Sequence, residues 1–246
     1  MANYSFQADL IKSLQAAIDS DGEFTYIYNP RFYRELKIFC SKSSIDWVLQ
    51  YKENRLKDFL EYKKKINFDI DDDLFIFIYY FYAFVLHDIW HLHKYIPGNI
   101  NNVIDIGAGI GLFEIYLNHI RPEIKNFTII EKENLFHQNK IIDVLKMSKD
   151  TAISNKLTNC LFYNDSNFSK INKKFDLVLS FRSWCYKYDI ETYLDFILRS
   201  ITRDTIVIVD IRNHFNKDKL LKNFKESFIL TNYPDHKRYL LKNFLG

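Results

Sequence analysis

Residues 101–117 read "NNVIDIGAGIGLFEIYL", and they hold three of the chain's six glycines, Gly107, Gly109 and Gly111, within five positions. A β-branched apolar run leads into the glycines and an amphipathic run leaves them, which predicts a buried strand, a tight turn and a helix. Glycine admits positive φ and leaves the main chain bare, as a turn requires when a ligand is to touch the backbone. With only three glycines elsewhere in 246 residues, such a cluster points to a site as well as to a turn.

Downstream of this turn the pattern repeats. The runs "NVIDIG" (102–107), "NFTIIEKE" (126–133), "NCLFYND" (159–165), "KFDLVLSF" (174–181) and "DTIVIVDI" (204–211) predict five buried strands. Stretches 111–120, 134–147 and 189–201 are long enough for crossover helices, so the alternation predicts a parallel sheet covered on both faces. After a helix near 216–225, "SFILTNY" and "KRYLLKNF" flank "PDH" and predict a hairpin instead of another crossover.

Upstream the period is helical. "SSIDWVLQYKENRLKDFLEY" places Ile45, Val48, Leu49, Leu56, Phe59 and Leu60 on one face, and Ser43 with Asp46 forms a capping box. A second helix is expected to start at Asp71, Asp72 and Asp73 and to end near His91, His93 and Lys94. Pro97 and Gly98 then break it, so the expected organisation is a helical cap over 1–98 and an α/β domain over 99–246.

Composition bounds the function. Hydrophobic residues make up 48% of the chain, so a large core is expected. The net charge of +3, spread without a basic tail, does not call for a nucleic-acid partner. The apolar run 74–86 is shorter than the ~20 residues a membrane helix needs, and the first residues lack a signal-peptide pattern. Cys40, Cys160 and Cys185 are expected as reduced thiols, in line with a cytoplasmic protein. The expected partner is a small-molecule acceptor, with neither nucleic acid nor membrane and with a homo-oligomer allowed.

"VIDIGAGIG" (103–111) resembles motif I, D/E-x-G-x-G-x-G, of class I S-adenosylmethionine-dependent methyltransferases. A nicotinamide-binding turn would instead carry its last glycine at position 112, which is Leu112. The resemblance covers roughly 99–246 and implies a Rossmann-like seven-stranded sheet of order 3-2-1-4-5-7-6. It also implies S-adenosylmethionine as cofactor and S-adenosylhomocysteine as product. Gly107, Ala108, Gly109 and Gly111 would line the cofactor, and Asp105 would face its ammonium group. Glu131, 20 residues after Gly111, would accept from both ribose hydroxyls, beside Lys132. Asp165 and Ser166 would flank the adenine, and Ser180 with Phe181 the methionine portion.

The acceptor side is expected in the loops after the fourth and fifth strands. Methyl transfer is an in-line displacement that needs alignment, plus a base where the acceptor must lose a proton. The loop "SFRSWCYKYDIETYL" lacks the (N/D)PP(Y/F) of amino-methyltransferases. It is loosely similar to bacterial sugar O-methyltransferases found with surface-polysaccharide genes. Arg182, Trp184, Tyr186 and Tyr188 would form the acceptor wall, with Arg182 and Arg212 for an anionic acceptor. His214 is the first candidate base, because histidine titrates near neutrality. His87 and His91, one helical turn apart, are further candidates for base or acceptor contact. No catalytic metal is expected. An RNA or tRNA methyltransferase and a non-catalytic cofactor-binding partner are the alternative readings.

Overall fold

The computed structural model describes residues 88–246 apart from 90, 110, 138 and 139, and for 134–137, 140–142, 147 and 154 the backbone alone. The two helices expected within 43–94 therefore lie outside the described residues, except for the end of the second. The chain divides into two compact units, Met1–His93 and Lys94–Gly246, against the boundary at 98 drawn from the sequence.

The second unit is built on one seven-stranded sheet. Strand β1 (Asn102–Ile106) enters the glycine turn, which opens helix α1 (Leu112–Ile120). Strand β2 (Asn126–Glu131) follows, then a hairpin of β3 (Asn134–His137) and β4 (Lys140–Asp143), then α2 (Val144–Ser154). Next come β5 (Cys160–Asn164), β6 (Phe175–Ser180), an extended strap β7 (Ser183–Tyr188) and α3 (Glu191–Ser200). Strand β8 (Ile201–Arg212), the short α4 (Asp218–Leu221), β9 (Phe224–Asn232) and β10 (His236–Phe244) complete the unit.

The sheet order is β5-β2-β1-β6-β8-β10-β9. Counting only strands of this sheet, it reads 3-2-1-4-5-7-6, as the sequence reading expects. The five strands from β5 to β8 pair in parallel, and β10 runs antiparallel to both β8 and β9. Parallel strands covered on both faces must be apolar on both, and Ile104, Ile106, Leu177, Val178, Leu179, Val207, Ile208 and Val209 are all almost wholly buried. Burying such a side chain fully stabilises the fold by about 1.5–3 kcal/mol.

Alternation along the strands sends Ile104, Ile106, Ile130, Val178, Val207 and Val209 to the face where Tyr193, Phe196 and Ile197 of α3 pack. Asp105 therefore points to the opposite face, where α1 lies.

Two expectations are corrected. Residues 134–147 do not form one helix: β3 and β4 pair in register from Asn134↔Asp143 to His137↔Lys140, and the helix starts only at Val144. Asp143 ends the hairpin and starts the helix, its carboxylate accepting from Lys146 N–H at 2.8 Å as an N-cap. The stretch after the fourth strand, read as a loop, is the extended strap β7.

Candidate active site at the carboxyl edge of the sheet

The three glycines of the turn all adopt positive φ, at 80°, 62° and 75°. The reasons differ. A Cβ on Gly107 would lie 1.9 Å from Ser183 Oγ, and one on Gly111 would lie 2.9 Å from Ser148 Oγ. The bareness of these two glycines is thus filled by the protein itself, by strap β7 and by α2. Of the three, only Gly109 has no described residue within 4 Å of where its side chain would stand. Gly109 is accordingly the residue whose backbone a ligand can approach.

The turn is tied to the strand ends. Gly107 N–H donates to Ile130 O at 2.7 Å and Gly111 N–H to Ala108 O at 3.1 Å. Gly109 N–H donates to Glu131 Oε2 at 2.7 Å, and Lys132 N–H donates to Glu131 Oε1 at 2.8 Å. Burial raises the pKa of Glu131, while these two amides and the nearby Lys187 and Lys132 pull it back down. Each carboxylate oxygen still has a lone pair for a further donor.

Behind the turn, Asp105 and Glu114 of α1 are both buried, and burial raises both carboxyls above the usual range. Glu114 is absent from the candidate residues read from the sequence. It falls within the apolar run of a helix start, where a carboxylate reads as a partner of the helix dipole.

Asp165 and Ser166 are exposed just past β5, and Ser166 N–H and Oγ both bond to Asn164 Oδ1. Lys132 Nζ stands 4.7 Å from the ring centre of Tyr188, and the hydrogen bond to the Tyr188 hydroxyl raises its pKa. Tyr188 therefore belongs with Lys132 at the end of β2.

Other residues of the expected acceptor wall are placed differently as well. Trp184 is fully buried, its indole N–H donating to Ile190 O at 2.7 Å, and it packs into the core beneath α3. Ser180 is fully buried too, donating to Ile106 O at 2.8 Å and accepting from Trp184 N–H at 2.9 Å. It clamps β6 to β1 and to the strap.

Tyr186, Arg182 and Arg212 do come together, around a cluster that the sequence reading missed. Asp210, fully buried at the end of β8, accepts from Arg238 Nε at 2.7 Å and Nη2 at 2.9 Å, and from Arg182 N–H at 3.2 Å. His236 lies beside it, Nε2 at 3.7 Å from Asp210 Oδ2, and its Nδ1 donates to Asp235 Oδ1 at 2.8 Å. Tyr186 donates to Asp235 Oδ2 at 2.8 Å, and the Arg212 guanidinium lies 4.3 Å from the Tyr186 ring centre. Tyr233 stacks on His236 at 4.3 Å. Burial lowers the pKa of His236, with Arg182 adding to the shift against Asp210 and Asp235. Arg182, where the chain turns from β6 into the strap, and Cys185, within the strap, adopt φ of 54° and 63°, values that side chains other than glycine seldom accept. The signal that could have found His236 is its register with Arg212 across β10 and β8, which only strand pairing reveals.

His214 is exposed on the loop after β8, its ring 4.4 Å from that of Phe215. His87 lies outside the described residues, and His91 belongs to the first unit. Among the described residues, no group of three or more His, Cys, Asp or Glu is placed to hold a metal ion, and no helix is long and apolar enough to cross a membrane.

No family model and no curated protein matches the sequence. Solved structures are similar in fold. A caffeoyl-CoA O-methyltransferase from Staphylococcus aureus, itself assigned without proof, is 13% identical, with 80% of this chain and 96% of that one covered at a TM-score of 0.48. A 16S rRNA N2 G1207 methyltransferase from T. thermophilus, in complex with AdoMet and guanosine, is 11% identical at 0.49, with 65% and 42% covered. A precorrin-6y C5,15-methyltransferase from Geobacter metallireducens is 12% identical at 0.45, with 61% and 82% covered. With its glycine turn after β1 and its reversed final hairpin, the Lys94–Gly246 unit has the fold of the class I S-adenosylmethionine-dependent methyltransferases.

Proposed function

We propose that the chain is an S-adenosylmethionine-dependent methyltransferase that methylates an oxygen of a small polar acceptor. The observation that carries this reading is Gly109, left-handed and open on its Cβ side, with its N–H held by Glu131 at the carboxyl edge of the sheet. In an open α/β sheet, ligands bind at that edge where the strand order reverses, here between β1 and β6.

The residues fit the cofactor. Gly109 allows close backbone approach, Glu131 offers acceptors for a ribose diol, and the α1 amides lie behind an N-cap, Gly111, that has no side chain to bond them. Asp105 and Glu114 supply negative charge behind the turn, and Asp165 lies past β5 for the adenine edge. When bound, the cofactor supplies an electrophilic methyl group. The chain's part is to orient the two reactants and to manage the acceptor's proton. Arg212 over Tyr186 provides positive charge for a phosphate or carboxylate oxygen, and His214, on the loop that follows β8, is the group that would take a proton from a hydroxyl. A sugar of surface-polysaccharide synthesis carries both kinds of oxygen and remains the acceptor class we favour.

Thermal unfolding tests the reading. S-adenosylhomocysteine should raise the midpoint, by about 2.7 kcal/mol of stabilisation at a hundredfold excess over Kd, and NAD should not. The opposite selectivity, or no shift with either, overturns it.

A further inference from the structure

Asp105 Oδ1 and both oxygens of Glu114 are buried, and none receives a hydrogen bond. The two carboxyls nevertheless act on each other from β1 and α1, the charge of Glu114 and its side-chain interaction both raising the pKa of Asp105 beyond what burial does. Two ionised carboxylates are both acceptors only, so a bond between them exists when one carries a proton. Two bare charges at that separation in a dry interior would repel strongly, so the proton is the inexpensive solution.

The surroundings reinforce this. Ser148 Oγ on α2 is likewise buried and without a hydrogen-bond partner. It lies 2.9 Å from the Cβ position of Gly111, and Glu114 Oε2 lies 3.9 Å from the same point. The hydroxyl thus stands with the acids directly beneath the turn. From β2, Glu131 adds a further negative charge, itself moderated by Lys132 and by Lys187 of the strap. From β5, Cys160 is kept a neutral thiol by burial first and then by the charge of Glu114. Among the described residues, the charges acting on the pair are therefore each other's and that of Glu131, and the side without a Cβ at Gly109 is where a compensating cation can come near.

We propose that Asp105 and Glu114 share one proton in the ligand-free chain and release it when a cation seats against the glycine turn. Glu114 thereby acts as a specificity-determining residue for a sulfonium-bearing ligand. The inference rests on the cofactor reading above and deepens it. S-Adenosylmethionine brings an ammonium and a sulfonium, whereas S-adenosylhomocysteine brings the ammonium alone. A site that can develop a second negative charge behind the turn favours the former, and it relaxes once the methyl has left. Glu114 touches neither reactant in this account; it acts through the charge state of the pair.

The test is calorimetric titration of the full chain with each ligand, in two buffers of different ionisation enthalpy, from about pH 5.5 to about pH 8. S-Adenosylmethionine should release protons in the lower part of this range, its affinity tightening by up to about tenfold per pH unit there. S-Adenosylhomocysteine should release fewer. Glu114→Gln, whose amide can donate to Asp105, should abolish that difference in release and flatten the affinity profile, while any contribution from Glu131 persists. Infrared spectra should show a protonated-carboxyl band in the ligand-free wild type that disappears on binding and is weaker in Glu114→Gln. Binding without proton release, or equal release by wild type and Glu114→Gln, overturns this inference alone. Absence of binding by both ligands overturns the cofactor reading along with it. Should Glu114→Gln not fold, the proton count and the infrared band of the wild type decide the matter.

Discussion

Ser183 occupies the space that a side chain at Gly107 would need: a Cβ there would stand 1.9 Å from Ser183 Oγ and 2.2 Å from Ser183 Cβ. The glycine turn and strap β7 are therefore one packed unit, and the demand for glycine at this position comes from within the protein. At Gly109 the demand comes from the backbone angle.

These two glycines should separate on mutation. Gly107→Ala combines left-handed strain of about 1–2 kcal/mol with overpacking of about 1–3 kcal/mol. Gly109→Ala carries only the strain, yet should lose most affinity for S-adenosylhomocysteine. Urea midpoints and calorimetry check both, and adding Ser183→Gly should recover the overpacking part of the Gly107→Ala loss.

Glu131→Ala removes the acceptor of two backbone amides at the rim of the turn. Water can replace it there, so the stability cost should stay near about 1 kcal/mol. Affinity for S-adenosylhomocysteine should fall more than about tenfold, or about 1.4 kcal/mol. Unchanged binding would remove Glu131 from the ribose role.

The Asp210–Arg238 pair is buried and bidentate, so breaking it should be costly. Arg238→Met leaves Asp210 charged and buried, at an expected loss of about 3–5 kcal/mol. Replacing both residues by Met and Leu should cost less than the sum of the single changes. A double-mutant cycle in urea reads the difference, and simple additivity would show that the pair does not act as a unit.

His236 is buried and its pKa is lowered, so the folded chain binds its proton less readily than the unfolded chain does. Its contribution to stability is complete above the unfolded value near about 6.5 and shrinks as pH falls below that. Asp105, Glu114 and Glu131 have raised pKa values and work in the opposite direction. The informative quantity is therefore the wild type minus His236→Asn. That difference should narrow between about pH 7.5 and about pH 5.5; a constant difference would show that His236 does not titrate in this way.

His214→Ala and Arg212→Ala should distinguish the two acceptor chemistries. If the acceptor is a hydroxyl, His214→Ala lowers turnover about a hundredfold or more at unchanged cofactor affinity. If the oxygen is already anionic, His214→Ala turns over normally and Arg212→Ala raises KM instead. Steady-state kinetics with sugar and sugar-phosphate acceptors separates them.

The local pattern made much of this legible. "VIDIGAGIG" identifies strand, turn and helix because each is written in consecutive residues: apolar where both faces are buried, glycine where φ is positive. Five parallel strands and a closing hairpin follow from the same periodicities, and Glu131 is found because it ends a strand at a countable distance. What failed locally failed for a physical reason. Residues 134–143 have enough apolar positions for either a helix or a hairpin, and pairing of Asn134 with Asp143 selected the hairpin. Trp184 reads as a ligand wall by its company, and burial under α3 made it core.

Sequence alone determined the sheet and its glycine turn and located Glu131 at the end of the second strand, since these depend on neighbours within one or two elements. Tertiary structure alone decided which glycine of the turn has no described residue against it, that Glu114 acts on Asp105, and that His236 meets Asp210 and Asp235. Gly107 against Ser183 and His236 against Asp210 join residues far apart in the chain, and Glu114 reaches Asp105 only because the turn folds the helix back on its strand. Their energies come from burial and register, which no run of consecutive residues encodes.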